Sequence, residues 1–351
     1  MYEPFVSVLI PVRNEERYIE RCLESLGAQD YPRRRFEVIV IDGQSTDATK
    51  RLIARFAAES TLDLRLLQNP ALKPAFALNI GLADARGDVI MRVDGHAAVA
   101  PDFVSASVAA LEATGADCVG GVITSEGDSY SAQTIALAMS SRFGVGGASF
   151  RVGGEGPADT VAFGAYRREV FDRIGTFAED IDKGEDDEFN YRLLDAGGTI
   201  MLVPAIRARY TVRGSIAGLW RQYLGYGRAK PEVLRRHPAQ ARPRQLVPPL
   251  FVAALMLATL RAIGGDNRPL RALLATYGAA IGLASVAVAV PRARLHLPLL
   301  PIVFACLHVA YGAGFLLGLG GVAVRRLRAG AIADGSTHIA TQGSEAEPGR
   351  G

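Results

Sequence analysis

Cysteine is scarce in this chain of 351 residues, and the three cysteines lie far apart at Cys22, Cys118 and Cys306. No C-x-x-C pair occurs, so the spacing supports neither a zinc site nor a disulfide framework. We expect buried, reduced thiols in a cytosolic domain. A strong basic excess is also absent, because the formal net charge is +3 and no basic stripe with interleaved aromatics occurs. Nucleic acid is therefore not an expected partner.

The start of the chain lacks the basic segment and apolar core of a signal peptide. We therefore expect the N-terminal domain to stay in the cytoplasm.

Three long runs near the C-terminal end are apolar. Residues 245–260 and 272–290 contain no charged residue, and residues 297–324 contain none apart from His308. A bilayer crossing needs about 20 residues, so the second and third runs qualify. The first is short and contains two prolines, so it spans only if Arg261 snorkels or the segment is re-entrant.

The topology of these three runs stays open at this point. Arginines precede the first run and follow the last, which predicts that both ends are cytoplasmic and that the number of crossings is even. Three runs fit an even number only if one is re-entrant. The alternative of a buried helical hairpin in a soluble domain is disfavoured by the lengths of the runs.

Apolar strand-like runs and helical patterns alternate over the first half of the chain. Strands are predicted at 6–11, 36–41, 64–67, 88–93, 118–124, 160–166, 199–203 and 207–212. Helices are predicted at 15–27, from a cap at Ser45 or Thr46 to 59, and at 75–85, 101–113 and 185–194. We expect an α/β fold with a mostly parallel sheet and helices on both faces. The glycine-rich residues 144–156 are predicted to form a mobile loop over the site.

A basic amphipathic helix is predicted after the last strand. Its apolar stripe follows the spacing i, i+3, i+4, i+7, i+8: Ile216, Leu219, Trp220, Tyr223 and Leu224. Four basic residues flank it: Arg213, Arg221, Arg228 and Lys230. Such a helix lies on a membrane surface or packs on the catalytic domain, and both are compatible. We therefore divide the chain into a catalytic domain (1–212), an interface helix and linker (213–244), a membrane region of two or three helices (245–328) and a disordered tail (329–351).

The strand at 88–93 runs directly into the turn Asp94-Gly95-His96. Ligands bind at strand ends in parallel α/β sheets. A carboxylate and an imidazole one residue apart can both reach a divalent ion there, and Gly95 lets the backbone turn between them. A metal at that edge could bind a diphosphate.

Four acidic or nucleotide-type segments occur in order along the chain. They are Val-Leu-Ile-Pro-Val-Arg-Asn-Glu at 8–15, Asp-Gly-Gln-Ser-Thr-Asp-Ala-Thr at 42–49, Asp-Gly-His at 94–96, and Glu-Asp-Asp-Glu-Phe at 185–189 with Arg192. Together they resemble the four successive signatures of the large inverting GT-A family 2 of glycosyltransferases. With its hydrophobic C-terminal part, the chain is similar to the bacterial succinoglycan-type exopolysaccharide glycosyltransferases.

The resemblance implies a donor-binding role for several residues. It implies that Asp42 binds the nucleobase or ribose, although Asp-Gly is also a common turn. It implies that three residues of the first segment line the nucleotide pocket: Pro11, Arg13 and Glu15. Taken singly, Arg13 and Glu15 are as often plain surface charges. Lys73 and Asn79 fall where members of this family often contact the donor.

The resemblance also implies the metal and catalytic residues. Asp94 and His96 match the metal turn, with His in place of the family's second Asp, so Mg²⁺ or Mn²⁺ is the expected cofactor. A purely structural His96 is the alternative. The Glu185–Asp186 pair opens a helix, where carboxylates also serve as simple caps. By resemblance Asp186 is the base that deprotonates the acceptor hydroxyl, with Asp187 as the alternative and Glu185 beside it in the catalytic cluster. Arg192 is expected to orient the cluster and contact substrate.

The expected function is inverting, metal-dependent transfer of a single sugar from a nucleotide-sugar donor. The acceptor would be lipid-linked or a polysaccharide, at the cytoplasmic face of the inner membrane, in exopolysaccharide or cell-envelope glycan synthesis. Processive synthases carry a Gln-x-x-Arg-Trp motif, whereas Trp220-Arg221-Gln222 has a different order. Two alternatives are a polyprenyl-phosphate glycosyltransferase, whose acceptor needs no base, and a non-catalytic nucleotide-sugar-binding membrane subunit.

Overall fold

A computed structural model describes residues 3–342 of the chain, with side chains described as far as residue 322. The first part alternates strands and helices: β1 (Val6–Val12), α1 (Ile19–Gly27), β2 (Phe36–Asp42), α2 (Thr49–Glu59), β3 (Leu64–Gln68), α3 (Pro74–Asp84) and β4 (Val89–Arg92). Every residue of β2 is buried, because helices cover both faces of this part of the sheet.

The second part completes the sheet: β5 (Ala97–Val99), α4 (Phe103–Thr114), β6 (Cys118–Glu126), α5 (Tyr130–Met139), α6 (Arg142–Val145), α7 (Ser149–Val152), β7 (Gly156–Pro157), β8 (Ala162–Arg167), α8 (Arg168–Ile174), α9 (Glu185–Asp195) and β9 (Ile200–Thr211). The strand order is β3-β2-β1-β4-β8-β6-β9-β5, with β7 paired to β9. Strands β1 to β4 pair in parallel, but β8 runs antiparallel to β4 and β6. The α/β class is confirmed, and the sheet is mixed.

The parallel strands end at one edge of the sheet. Val12 of β1 is in register with Asp42 of β2, and Leu9 with Arg92 of β4. Parallel strands bring their carboxyl ends to the same side, so the segments that follow all three strands lie together. That edge holds the candidate site.

Several local predictions are corrected by the structure. Helix α1 begins at Ile19 rather than 15, and α2 begins at Thr49 without a side-chain cap at Ala48. Ser45 is not a cap, because its hydroxyl accepts the Asn14 amide at 2.9 Å. The predicted glycine-rich loop at 144–156 contains the end of α6 and all of α7. The two strands predicted at 199–212 form one continuous strand, β9, with an irregular register against β6.

Four long helices follow the sheet: α10 (Ile216–Arg236), α11 (Pro243–Ile263), α12 (Arg268–Ala289) and α13 (Leu300–Gln342). The last three contain segments long and apolar enough to cross a membrane. Helix α11 has 21 residues and includes Pro248 and Pro249, so the first apolar run is not too short to span. Helix α13 continues past Ala331, where the sequence predicted disorder, and residues 343–351 lie outside the described part. The predicted domain boundaries stay predictions.

The amphipathic helix α10 packs on the rest of the protein. Leu219 is fully buried, and Ile216 and Tyr223 pack against the main core. Trp220 remains 39% exposed. The apolar stripe therefore packs on the protein core, as one of the two alternatives predicted. Contact of its exposed residues with a membrane surface stays a prediction.

Glycines bring α10 and α13 into close contact. A Cβ added to Gly314 would lie 2.2 Å from the Leu224 carbonyl oxygen, and one added to Gly318 would lie 2.3 Å from that of Arg228. Residue numbers rise in the same direction on both helices, so they run parallel. Only glycine permits backbones to approach this closely, as in the small-xxx-small contacts of membrane helices.

We expect Gly314→Ala to destabilise the protein by about 1–3 kcal/mol, because the added methyl group forces these helices apart. Gly320→Ala is the matched control on the same helix, since a Cβ there meets nothing within 4 Å. Thermal unfolding in detergent should show a lower midpoint for Gly314→Ala only. Equal midpoints for the two variants would contradict the close contact.

Candidate active site

A cavity of about 1250 Å³ opens at the carboxyl edge of the parallel strands. It contains most of the residues that the sequence singled out: Pro11, Arg13, Glu15, Lys73, Asp94, His96, Glu185 and Asp186. It also continues between the long helices, where Phe251, Tyr277 and Leu307 line it. The cavity therefore joins the sheet edge to the candidate membrane region.

Arg92 at the end of β4 links the acidic groups of the cavity. Its guanidinium lies 3.2 Å from Asp94 Oδ1, 3.0 Å from Glu185 Oε1 and 3.8 Å from Asp186 Oδ2. Its side chain is only 16% exposed. Burial would lower the pKa of Arg92, but the three carboxylates raise it well above its usual value. Arg92 therefore stays charged and holds two distant chain segments together.

Arg92 was missed by the sequence reasoning, although a signal was present. It is the only charged residue within β4, whose other residues are apolar. Along an extended chain, residues two apart share a side, which places Arg92 beside Asp94. Burial would raise the pKa of Asp94, but the charges of Arg92 and His96 hold it below its usual value. Asp94 is therefore an ionised carboxylate.

His96 is held by a carboxylate and leaves one nitrogen free. Its Nδ1 lies 3.0 Å from Glu15 Oε1, and its ring packs edge-on against Tyr210. The buried Nε2 has no hydrogen-bond partner among the described residues. Metal-bound histidines commonly present one nitrogen to the ion while a carboxylate orients the other. Glu15 thus positions His96, in addition to lining the cavity.

The donor set at Asp94 and His96 fits a divalent cation. A carboxylate and an imidazole are suitable ligands for Mn²⁺, and His96 lines the cavity with its buried Nε2 unpartnered among the described residues. No group of three or more such side chains is arranged as a metal site within the described residues. Cations of this kind are often held by one or two protein ligands and completed by substrate phosphates.

Burial lowers the pKa of His96, but its hydrogen bond to Glu15 and the charges of Tyr210, Asp94 and Glu15 raise that pKa to about 10. A cation that binds Nε2 would therefore displace a proton.

Asp186 and Asp187 differ in how their carboxylates are used. Asp187 contacts the Lys230 ammonium and is only 27% exposed. Asp186 is 43% exposed, and its one close hydrogen bond is 2.9 Å from the Asp187 amide. Both open helix α9 in the cavity wall. Asp186 therefore keeps lone pairs available to a ligand, whereas Asp187 forms part of the wall.

The Asp186 side chain is partly exposed, but its removal from bulk solvent in the cavity raises its pKa, and Arg92 opposes this shift. The neighbouring Glu185 and Asp187 charges raise it further, to about 7. Asp187 shifts the other way, because Lys230 outweighs the effect of burial and holds its pKa below the usual value. A carboxylate with a pKa near neutrality is suited to exchange protons with a hydroxyl group.

Three predicted donor residues have other partners in the structure. Asp42 is fully buried behind the cavity wall, which Gly43 lines, and its Oδ2 accepts the Ser45 amide at 3.1 Å. Lys73 lines the cavity and pairs with Asp182 at 2.6 Å. Asn79 does not line it but exchanges two hydrogen bonds of 2.9 Å with the backbone of Phe177. Asn79 therefore fixes the segment that leads to α9.

Arg192 lies outside the cavity and pairs within its own part of the chain. Its guanidinium pairs with Glu188 at 2.9 Å and donates to the carbonyls of Ile174 and Thr176 at 2.6 and 2.7 Å. It does not line the cavity. One helical turn separates Arg192 from Glu188, so the two pair along α9, away from the Glu185–Asp186 end. Arg192 anchors the helix and does not contact the cavity.

Comparison with known proteins identifies the family. Residues 7–175 match the model of glycosyl transferase family 2. The succinoglycan biosynthesis protein ExoA of Rhizobium meliloti is 31% identical over 311 residues, which is 88% of this chain and 93% of that protein. This chain belongs to glycosyl transferase family 2. The predicted family is confirmed, and the chain is a glycosyltransferase.

One further relative agrees with this membership, and one solved structure shares the fold. A dolichyl N-acetyl-α-D-glucosaminyl phosphate 3-β-D-2,3-diacetamido-2,3-dideoxy-β-D-glucuronosyltransferase of Methanococcus voltae is 30% identical over 66% of this chain and 74% of that protein. A mannosyltransferase from Pyrobaculum calidifontis, solved in complex with GDP-Man and Mn²⁺, superposes with a TM-score of 0.60. Its sequence is 24% identical, and the superposition covers 89% of this chain and 88% of the mannosyltransferase chain. The predicted GT-A fold, with apolar C-terminal helices, is confirmed.

Proposed function

We propose that this family 2 member is a membrane-anchored, metal-dependent, inverting glycosyltransferase. It moves one sugar from a nucleotide-sugar donor to a lipid-linked or polysaccharide acceptor. One observation carries the proposal: Arg92 joins Asp94 of the predicted metal turn to Glu185 and Asp186 in one cavity, and the partly exposed Asp186 carboxylate keeps lone pairs available to a ligand. A binding module has no need of such a carboxylate, so this arrangement supports an enzyme over the non-catalytic alternative.

The donor would bind at the sheet edge. Asp94 and His96 would hold a divalent cation, which when bound neutralises charge on the diphosphate leaving group. Two arginines of the cavity wall, Arg13 and Arg213, form no hydrogen bond or ion pair with the described side chains. Arg213 also helps to lower the pKa of Asp94, so its charge acts at this end of the cavity. These guanidinium groups would bind the donor phosphates.

The acceptor hydroxyl would approach Asp186. The carboxylate would take the hydroxyl proton while the acceptor oxygen attacks the sugar carbon opposite the departing diphosphate, which inverts that carbon. Arg92 would keep Asp186 in place and Glu185 buried beside it. The name of one relative supports a lipid-linked acceptor, because that protein acts on a dolichyl-linked sugar phosphate. The name of another, a succinoglycan biosynthesis protein, supports a role in polysaccharide synthesis.

We infer that α11 and α12 form the membrane anchor as a hairpin. Helix α11 begins on the catalytic part, where Gln245 donates to Tyr191 Oη at 2.7 Å. The segment after α12 returns to it, where His296 Nδ1 lies 2.8 Å from Thr134 Oγ1. Only 17% and 22% of the apolar windows of these helices are buried, against 50% in α13, which lies along α10. Two crossings satisfy the even number that the flanking arginines predict.

This topology predicts that the turn between α11 and α12 lies across the membrane from the catalytic domain. Asp266→Cys places one thiol there, because the three native cysteines are buried. In spheroplasts of a bacterial host, a membrane-impermeant maleimide should label this variant. Glu112→Cys, at an exposed position of α4, is the control and should react only after permeabilisation. Equal protection of both thiols would refute a crossing hairpin.

The pH dependence of transfer should follow Asp186. Because a base acts in its deprotonated form and the pKa of Asp186 is raised to about 7, kcat should rise with pH through about 7. Below that value it should fall about tenfold for each pH unit. The measurement is kcat at saturating donor and acceptor between about pH 5.5 and 8.5, with far-ultraviolet circular dichroism as a control for folding. A flat profile would contradict the assignment of Asp186.

The direct test of the proposal is a donor screen with membranes that contain the protein. Each nucleotide sugar is supplied in turn, and lipid-linked or glycan products are identified by their added mass. We expect one donor to give a product that carries a single added sugar with an inverted anomeric linkage. Products with many added sugars, or retention at the anomeric carbon, would overturn the proposal.

A further inference from the structure

The cavity contains basic side chains of two kinds. Lys230 contacts Asp187 and Arg244 contacts Asp159, so their charges are neutralised within the wall. Arg142 and Arg221 also line the cavity, but neither forms a hydrogen bond or ion pair among the residues that the structure describes. Both are exposed to solvent and free to bind an anion. An unpaired guanidinium presents a planar set of donors that matches phosphate oxygens.

Arg142 and Arg221 come from elements that pack on the long helices. Arg142 opens α6, whose Phe143 carbonyl lies 2.8 Å from His308 Nε2 of α13. The Phe143 ring also packs edge-on against Phe304, with 5.0 Å between ring centroids. Arg221 belongs to α10, which lies along α13. These two arginines therefore lie where the catalytic part meets the candidate membrane helices.

The adjoining part of the cavity is apolar. Val247 and Phe251 line it from α11, Tyr277 from α12, and Leu307 from α13. The Phe251 and Tyr277 rings lie 4.2 Å apart, and Val247 is 61% exposed. The cavity volume of about 1250 Å³ also exceeds the roughly 300–1,000 Å³ of common small-molecule sites. The cavity therefore has room for a second ligand in addition to the donor. The part of its wall that would contact this second ligand is hydrophobic.

We infer that Arg142 and Arg221 form an anion subsite for the phosphate or diphosphate of a lipid-linked acceptor. The hydrocarbon chain of that acceptor lies against the apolar wall of Val247, Phe251 and Leu307. This inference rests on the proposed function, because the acceptor sugar must reach Asp186 while its phosphate is held. The charge pattern supports it, because unpaired arginines line the same cavity as apolar side chains of the candidate membrane helices.

The test uses full-length protein in detergent and farnesyl diphosphate as the probe. EDTA is present so that the diphosphate does not bind through a metal. Calorimetry should give a Kd at least about tenfold lower for farnesyl diphosphate than for inorganic diphosphate or farnesol, because only the first satisfies both parts of the site. The Arg142→Gln/Arg221→Gln double variant should bind farnesyl diphosphate at least about tenfold more weakly. Arg228→Gln, an exposed arginine of α10 outside the cavity, is the matched control.

Phe251→Ser tests the apolar wall separately. It should weaken binding of farnesyl diphosphate but leave inorganic diphosphate unaffected, because only the farnesyl chain contacts that wall. Equal affinity for inorganic and farnesyl diphosphate would mean a site for free phosphate and would overturn the lipid assignment. An unchanged Kd in the double variant, or an equal loss in Arg228→Gln, would overturn the arginine subsite.

The proposed function fails separately from this subsite. Asp186→Asn should still bind farnesyl diphosphate, because Asp186 contacts the acceptor hydroxyl and not its phosphate. If the probe binds as expected while Asp186→Asn keeps full transfer, the catalytic proposal is wrong and the subsite stands. If transfer requires Asp186 but the probe does not bind, the subsite alone is wrong.

Discussion

Asp186→Asn should lower kcat for sugar transfer by about 10²–10⁴-fold, the usual contribution of a general base. The amide has nearly the same shape as the carboxylate and can still accept the Asp187 amide, as Asp186 does at 2.9 Å. It cannot take a proton from an acceptor hydroxyl. Donor affinity should be almost unchanged, because the donor would bind through the Asp94–His96 end of the cavity.

The measurement pairs steady-state transfer with donor binding by calorimetry. Asp172→Asn is the matched control, because Asp172 lies exposed on α8 outside the cavity. It should leave both quantities unchanged. Near-normal turnover of Asp186→Asn would refute the base assignment. It would then favour transfer to a polyprenyl phosphate, whose acceptor oxygen is already ionised.

Removal of the divalent cation should stop transfer, and added Mn²⁺ or Mg²⁺ should restore it. A bound cation stabilises the charge of the diphosphate as the sugar leaves, which contributes several kcal/mol to the transition state. The proposed ligands are the ionised Asp94 carboxylate and the unpartnered Nε2 of His96. His96→Ala should therefore lose both turnover and Mn²⁺ binding.

Electron paramagnetic resonance of Mn²⁺ provides a readout that does not depend on turnover. Glu15→Gln should weaken Mn²⁺ binding by about 10–100-fold, because it replaces the carboxylate that orients His96 without removing a ligand. The exposed control Asp172→Asn should bind Mn²⁺ like the unchanged protein. Full transfer by a preparation shown to contain no divalent metal would remove the role assigned to Asp94 and His96.

Much of the site was predictable because its motifs are local. A strand followed by Asp94-Gly95-His96 puts two ligand-type side chains at a sheet edge whatever the rest of the chain does. Arg92 was less accessible to sequence reasoning, since its role depends on Glu185 and Asp186, more than ninety residues away. Asp42 and Arg192 were predicted to contact substrate, Asp42 from its place after a strand end as well as from resemblance. In the structure Asp42 is buried and accepts a hydrogen bond from the Ser45 amide, and Arg192 forms an ion pair with Glu188.

The helical part shows the same division. Apolar composition alone indicated two or three membrane helices, and the described part of the chain contains three helices of suitable length. Composition could not indicate which of them is covered by protein. Coverage of α13 depends on Gly314 and Gly318, which let the backbone of α10 approach closely because they have no side chain. It also depends on α6, whose Phe143 packs on α13 and whose last two residues fall within the predicted loop at 144–156.

The sequence alone determined the family and the fold class through the order of its four acidic or nucleotide-type segments. It determined the presence of candidate membrane helices through the change to apolar composition after the last strand. These features depend on residue type and short-range spacing, which folding does not alter. Tertiary structure decided that Asp186 rather than Asp187 keeps lone pairs available to a ligand, and that Arg142 and Arg221 lack a counter-ion among the described residues. It also decided that α13, more than α11 and α12, is covered by protein. Each of these depends on side chains from distant segments competing for the same partners, and only the packed chain determines which of them pair.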